Sequence, residues 1–141
     1  MGHYYVAGIV HEKDGSGYAV YFPDFVEVCS GGSTVEEAIE NATTGLAQAI
    51  RNRSEDNREI PSPCSMQEAV ERVKKERAES GLETPDDTLY QYIHAPETSK
   101  MPVRISVTIP RATLDVIDNK ARDAGMTRSG YLAAAALAAN I

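Results

Sequence analysis

Residues 103–109 alternate strictly: Val103, Ile105, Val107 and Ile109 face one way, and Arg104, Ser106 and Thr108 face the other. This pattern predicts a strand with one apolar face, and nothing in the same stretch of chain can pair with it. Pro110 ends it and suits the start of a helix over about 111–124, with Leu114, Ile117 and Ala121 on one side. Gly125 fits the left-handed turn that closes a helix, and Thr127 is a natural cap for a second helix over about 128–139. One strand and two short helices, about forty residues, cannot bury enough surface to stand alone. Two copies remove both difficulties. Their strands pair antiparallel, and four helices pack beneath on a shared core of Val103, Ile105, Val107, Ile109, Leu114, Ile117, Tyr131 and Leu132.

The outer face of such a ribbon carries Arg104, Ser106 and Thr108 from each chain. A two-stranded ribbon fits the major groove of B-DNA, where arginine can take both acceptors of guanine and hydroxyls read either base type. The start of the second helix, Thr127-Arg128-Ser129, offers unpaired backbone N–H groups and a cation to a phosphate. The segment RISVTIPRATLDVIDNKARDAGMTRSGYL, from Arg104 to Leu132, resembles the ribbon-helix-helix family. That resemblance implies a homodimer that binds operator DNA.

The preceding residues read differently. HYYVAGIVH, residues 3–11, is β-branched and aromatic, which predicts a strand. Asp14-Gly15-Ser16-Gly17 is turn chemistry, and a second strand is expected over 18–22 until Pro23 interrupts it. A third strand is expected over about 26–30, running into Gly31-Gly32. Thr34-Val35-Glu36-Glu37 is a capping box opening a helix whose apolar face is Val35, Ala38, Ile39, Ala42, Leu46, Ala49 and Ile50. A polar, proline-punctuated loop follows over 54–63. Ser65-Met66-Gln67-Glu68 then opens a second, highly charged helix that stops near Gly81, with Ala69, Val70 and Val73 as a thin stripe. LYQYIH, residues 89–94, predicts a fourth strand.

The run GYAVYFPDFVEVCSGGSTVEEAIENATTGLAQAI, from Gly17 to Ile50, resembles the HicB antitoxins. The resemblance implies an α+β fold. Its N-terminal half is a partial RNase H-like domain of β-β-β-α-β order, with the charged helix as an insertion, and a C-terminal β-α-α ribbon-helix-helix module follows. It places a toxin-binding domain at 1–95, a linker at 96–102 and a DNA-binding module at 103–141. It also implies the partners: a HicA-type mRNA-cleaving toxin and operator DNA, with the chain a homodimer through its C-terminal module and a tetramer as the larger alternative.

Charge fits this division. The net charge of −7 divides into nine basic against eighteen acidic residues before position 101, and five against three after it. An acidic domain complements the cationic surface an RNA-cleaving toxin needs. Asp24, Glu27, Glu36 and Glu37, near the sheet and helix start, are the candidate toxin contacts. An alternative is a transcriptional regulator whose N-terminal domain senses a small molecule.

No catalytic residue, metal site or cofactor is expected. Nucleases of RNase H type hold two metal ions with carboxylates on strand ends, yet the strands at 3–11 and 89–94 contain no Asp or Glu. Glu12, Asp14 and Asp24 fall in turns or at a strand's end, and His3, His11 and His94 lack ligand spacing. Cys29 and Cys64 form no CxxC pair. With no apolar run near the roughly 20 residues of a membrane span, the expectation is a cytoplasmic protein.

Overall fold

A computed structural model describes residues 3–140. The first half of the chain forms β1 (Tyr4–Glu12), β2 (Gly17–Tyr21), β3 (Ser30–Gly32), α1 (Val35–Glu55), α2 (Met66–Glu79) and β4 (Leu89–His94). The four strands make one antiparallel sheet in the order β3-β2-β1-β4, with Ile9 opposite Val20 on one side and opposite Leu89 on the other. The remainder holds α3 (Arg111–Asp123) and α4 (Arg128–Ala138). The chain divides into two compact units between Ile105 and Ser106.

β1 is central, and its residues from Tyr5 to Val10 are buried on both faces. Tyr5, Ala7 and Ile9 point to one side, where they meet Ala38, Ala42, Leu46 and Ile50 of α1 in the main core. Val6, Gly8 and Val10 point the other way, toward α2. Gly8 makes that second layer possible, because a Cβ there would sit 3.1 Å from Val73 Cγ2 and 3.3 Å from the Tyr90 ring. The charged helix that looked like an insertion of unknown purpose is therefore the lid on the sheet's second face. Its buried stripe is Ala69, Val73 and Arg77, spaced i, i+4, i+8. Val70, expected in that stripe, is only half-buried.

Arg77 is the unexpected member. Its side chain is 4% exposed, and its guanidinium donates to Glu12 Oε1 (2.9 Å), the Tyr21 hydroxyl (2.9 Å) and the Glu83 carbonyl (2.9 and 3.1 Å). A buried cation with its donors this fully used is tolerated; one left unpaired is not. The aliphatic stem covers apolar surface while the head locks α2 to the β1–β2 hairpin and to the loop after α2.

Both capping boxes form at their N–H ends: Glu37 N donates to Thr34 Oγ1 and Glu68 N to Ser65 Oγ, each at 3.1 Å. The Glu37 carboxylate takes the Ser33 hydroxyl at 2.8 Å. The third strand is shorter and later than its sequence suggests. Pro23 supplies no N–H, and Phe25 N and Val28 N bond back to the carbonyls of Phe22 and Phe25. Two tight turns result, which send Phe25 into the core and leave Val26 74% exposed. Pairing resumes only where Ser30 meets Val20.

The first unit also extends beyond residue 95. Met101 packs on the main core, Ser54 Oγ donates to the Pro102 carbonyl (3.4 Å), and Arg104 N donates to the Glu55 carbonyl (2.6 Å). The stretch expected to be a free linker is thus held along the C-terminal end of α1.

Replacing Arg77 with alanine strands Glu12 and removes the clasp on α2. Urea unfolding should show a loss of about 3 kcal/mol, the scale for breaking a buried ion pair; a loss below about 0.5 kcal/mol, the level of ordinary surface substitutions, would mean that α2 is held by its apolar stripe alone.

Candidate functional site

The acidic residues singled out by sequence are not gathered in one place: Glu36 and Glu37 lie in the first turn of α1, while Glu27 pairs with Arg53 in its last turn and Asp24 faces α2 and the loop before it. Asp24 sits in the turn after β2 with only 5% of its side chain exposed. It accepts from Cys64 N (3.0 Å) and Arg72 Nη1 (3.0 Å), so it joins the loop before α2 to α2 itself. Glu27 takes both Nε and Nη2 of Arg53, at 2.7 and 2.9 Å. Arg53 also donates to the Glu59 carbonyl and lies 4.9 Å over the Phe25 ring. Tyr5 packs edge-on against that ring and donates its hydroxyl to the Pro61 carbonyl (2.6 Å). These bonds pin the polar loop after α1 to the body. Asp24 and Glu27 therefore have intramolecular work, whereas Glu36 and Glu37 lie exposed on the first turn of α1.

Arg53 holds the Glu27 carboxyl below the usual carboxylate range. At Cys64, burial is the main cause that pushes the thiol up, with Asp24 adding to it. A thiol kept protonated is a poor nucleophile. Glu12 is bound to Arg77, and Asp14 accepts from Ser16 N in the β1–β2 turn. Among the described residues, no three His, Cys, Asp or Glu side chains come together as a metal site.

The second unit places its predicted residues differently. Thr127 caps α4, its hydroxyl oxygen accepting from Gly130 N at 3.1 Å. Gly125 takes a φ of +69° after α3, the left-handed turn expected there. Arg128 forms a two-pronged pair with Asp118, 2.8 Å at each prong, so its guanidinium ties the start of α4 to α3. Sequence reasoning missed this partner, although Asp118 lies on the same short helical hairpin. Arg104, Ser106, Thr108 and Ser129 are all exposed. So are three of the proposed core residues, Val103, Ile105 and Val107, at 48%, 72% and 67%. Ile109, Leu114, Ile117, Tyr131 and Leu132 are half-buried. Within this chain residues 103–109 join no ladder. Among the described residues of the second unit, Ala121 alone is buried.

Residues 5–136 match the family model described as HicB-like antitoxin of bacterial toxin-antitoxin systems. The chain belongs to that family. Antitoxin HicB 2 of Photorhabdus laumondii is 45% identical over 62 residues, a stretch that spans 44% of this chain and 45% of that relative. The crystal structure of the Burkholderia pseudomallei antitoxin HicB is 32% identical and superposes with a TM-score of 0.51, covering 94% of this chain and 93% of that one. A toxin-antitoxin complex from Streptococcus pneumoniae has the same fold at 22% identity, with a TM-score of 0.58 over 97% and 98% of the two chains. The HicB resemblance read from the sequence is thus established, as is the mixed α+β architecture. No described helix is long and apolar enough to cross a membrane.

The Glu27–Arg53 pair has a pH signature. A carboxyl held low in the folded state adds stability above the unfolded value, near 4.5, and loses it as pH falls through the folded value. Because both groups are partly in solvent, the contribution is on the order of 0.5–1 kcal/mol. Glu27→Gln should therefore be less stable than the parent at pH 7, and the gap should close as pH falls below the unfolded value. A gap that persisted undiminished at pH 3 would assign the loss to packing rather than to charge.

Proposed function

We propose that this chain neutralises a HicA-type mRNA-cleaving toxin through its first unit and represses its own operon through a dimeric ribbon-helix-helix module at its C-terminal end. In this reading the first unit is a partial RNase H-like domain that binds without cleaving. Membership of the antitoxin family supports the toxin partner, and the likeness to a chain in a toxin-antitoxin complex agrees with it. A binding role without cleavage agrees with the chemistry present: Glu12 is spent on Arg77 and Asp24 on Cys64 N and Arg72.

One observation carries the dimer. The stretch from residue 103 onward has two amphipathic helices and an alternating segment, yet apart from Ala121 its described apolar side chains are exposed or half-buried. Burying Val103, Ile105 and Val107 against a second copy would contribute about 1.5–3 kcal/mol for each side chain fully removed from water. Antiparallel pairing would set Arg104, Ser106 and Thr108 of both copies on one face, the geometry of major-groove readers. Thr127, Arg128 and Ser129 then flank that face at the start of α4, where free N–H groups suit a phosphate. Asp118 orients the Arg128 guanidinium in advance of any such contact.

Toxin binding falls to exposed carboxylates that no arginine or lysine ties down. Glu36 and Glu37 at the exposed start of α1 fit that role better than the more enclosed Asp24.

Three outcomes follow. Ile105→Asp should halve the mass seen in sedimentation, because it puts a charge into the shared core; an unchanged mass would exclude the ribbon as the dimer contact. Arg104→Ala should cost operator binding roughly 1–3 kcal/mol per half-site while leaving toxin rescue in cells intact. Arg128→Ala should instead weaken specific and nonspecific DNA alike and flatten the salt dependence. Full operator affinity in Arg104→Ala would mean that the outer face of the strand is wrongly assigned.

A further inference from the structure

We infer that Asp118 is a positioning residue for DNA: it grips one edge of the Arg128 guanidinium, leaves the other edge to a phosphate, and makes that contact selective for the operator. The inference rests on the ribbon-helix-helix reading above and concerns how that module tells its own site from other DNA. Arg128 is the one charged residue of α4, so it is the only side-chain cation this helix can bring to a phosphate. A carboxylate beside it works against binding DNA in general, where attraction to the phosphates dominates.

Holding the hairpin together does not account for the pair. The turn between α3 and α4 is already closed by backbone bonds from Ala124 N to the Lys120 carbonyl, Gly125 N to the Arg122 carbonyl and Met126 N to the Ala121 carbonyl. Thr127 caps α4 by accepting from Gly130 N. The Arg128 side chain is 55% exposed and that of Asp118 29%, and ion pairs so open to water contribute little to stability.

The geometry suits a different task. A guanidinium carries five N–H groups in a fixed fork arrangement. Asp118 Oδ1 accepts from Nε at 2.8 Å and Oδ2 from Nη2 at 2.8 Å, which fills one edge. Among the described residues nothing bonds to Nη1, so the end fork, made by Nη1 and the second hydrogen of Nη2, stays open. A phosphate at the start of α4 can take that fork in a two-pronged, charge-assisted bond, together with the N–H groups of the first turn. Held at one edge, the side chain has less rotamer freedom to lose on binding. Arg128 in turn keeps the Asp118 carboxyl below the usual carboxylate range, so the pair stays ionised.

Distance decides which DNA benefits. To a phosphate several ångströms away the pair is close to neutral, because the two charges offset each other. To a phosphate seated on the open fork, the guanidinium is in contact and the carboxylate lies on its far edge, so short directional bonds dominate. Contacts to the right bases fix the register that seats this phosphate; loosely held DNA does not. Asp118 thus mutes Arg128 toward DNA at large and leaves it effective on the operator.

Paired titrations of the full chain test this. One duplex comes from the region ahead of the chain's own reading frame, the other is a scrambled duplex of equal length, and both are titrated at several salt concentrations. Asp118→Asn keeps the size of the side chain and one acceptor but removes the charge. It should bind the scrambled duplex more tightly and steepen that salt slope by about 2 for the dimer, one phosphate for each freed arginine. The ratio of operator to scrambled affinity should fall on the order of ten-fold. Asp118→Glu, which keeps the charge, should lie nearer the parent than Asp118→Asn in both readouts. A residue that only clasps the hairpin would lower both affinities together and leave ratio and slope unmoved. That result, or an Asp118→Glu chain as unselective as Asp118→Asn, would overturn the proposal alone. A parent chain with no preference for the operator duplex would overturn the ribbon-helix-helix reading and this proposal with it.

Discussion

Covering the central strand on both faces is the constraint from which the first unit follows. β1 is apolar on its two sides, so a sheet resting on one helix would leave Val6 and Val10 in water. Fully burying a valine contributes about 1.5 kcal/mol or more, and only a second helix can supply that cover here. α2 has too few apolar residues to do so by greasy contact alone. Its grip depends on a glycine that lets it approach, two small or branched residues that fill the gap, and a buried arginine whose guanidinium makes four hydrogen bonds. The loops on either side of α2 are then fixed by the bonds of Asp24, Arg53, Tyr5 and Arg77.

The same economy changes how the acidic surface is read. An excess of carboxylates invites the inference that each is available to a cationic partner. In this fold several are structural: Glu12 satisfies Arg77, Asp24 satisfies Cys64 N and Arg72, and Glu27 satisfies Arg53. Among the four carboxylates singled out by sequence, Glu36 and Glu37 at the first turn of α1 are the ones left exposed without an arginine partner. Net charge thus indicates the sign of a partner, and hydrogen bonding narrows which residues can meet it.

The second unit obeys the opposite logic. Its helices are capped, its turn is correct, and the hairpin is clasped by Arg128 and Asp118, so local structure is complete. Burial is not. A segment this small buries too little apolar surface for a core of its own. Within the first unit, the chain just before residue 105 is bonded to the end of α1 through Ser54 and the Glu55 carbonyl.

Local chemistry determined much of this chain before any folding. Caps at Thr34, Ser65 and Thr127, the turn at Gly125, the helical spacing of α1 and the strand at LYQYIH are decided within a few residues, because capping, φ preference and periodicity act at that range. The family resemblance was legible for the same reason, in short contiguous runs. Tertiary structure alone decided the rest. No local signal says that Pro23 and the two turns after it would postpone the third strand to Ser30, since that depends on Phe25 finding the core. None says that Arg77 would be buried or that Arg128 would meet Asp118, since a charged residue on a helix looks the same whether its partner is water or a carboxylate brought near by the fold. The purpose of α2 was hidden for that reason too: a helix with a narrow apolar stripe reads as a surface element until a strand with two faces to cover is placed beneath it.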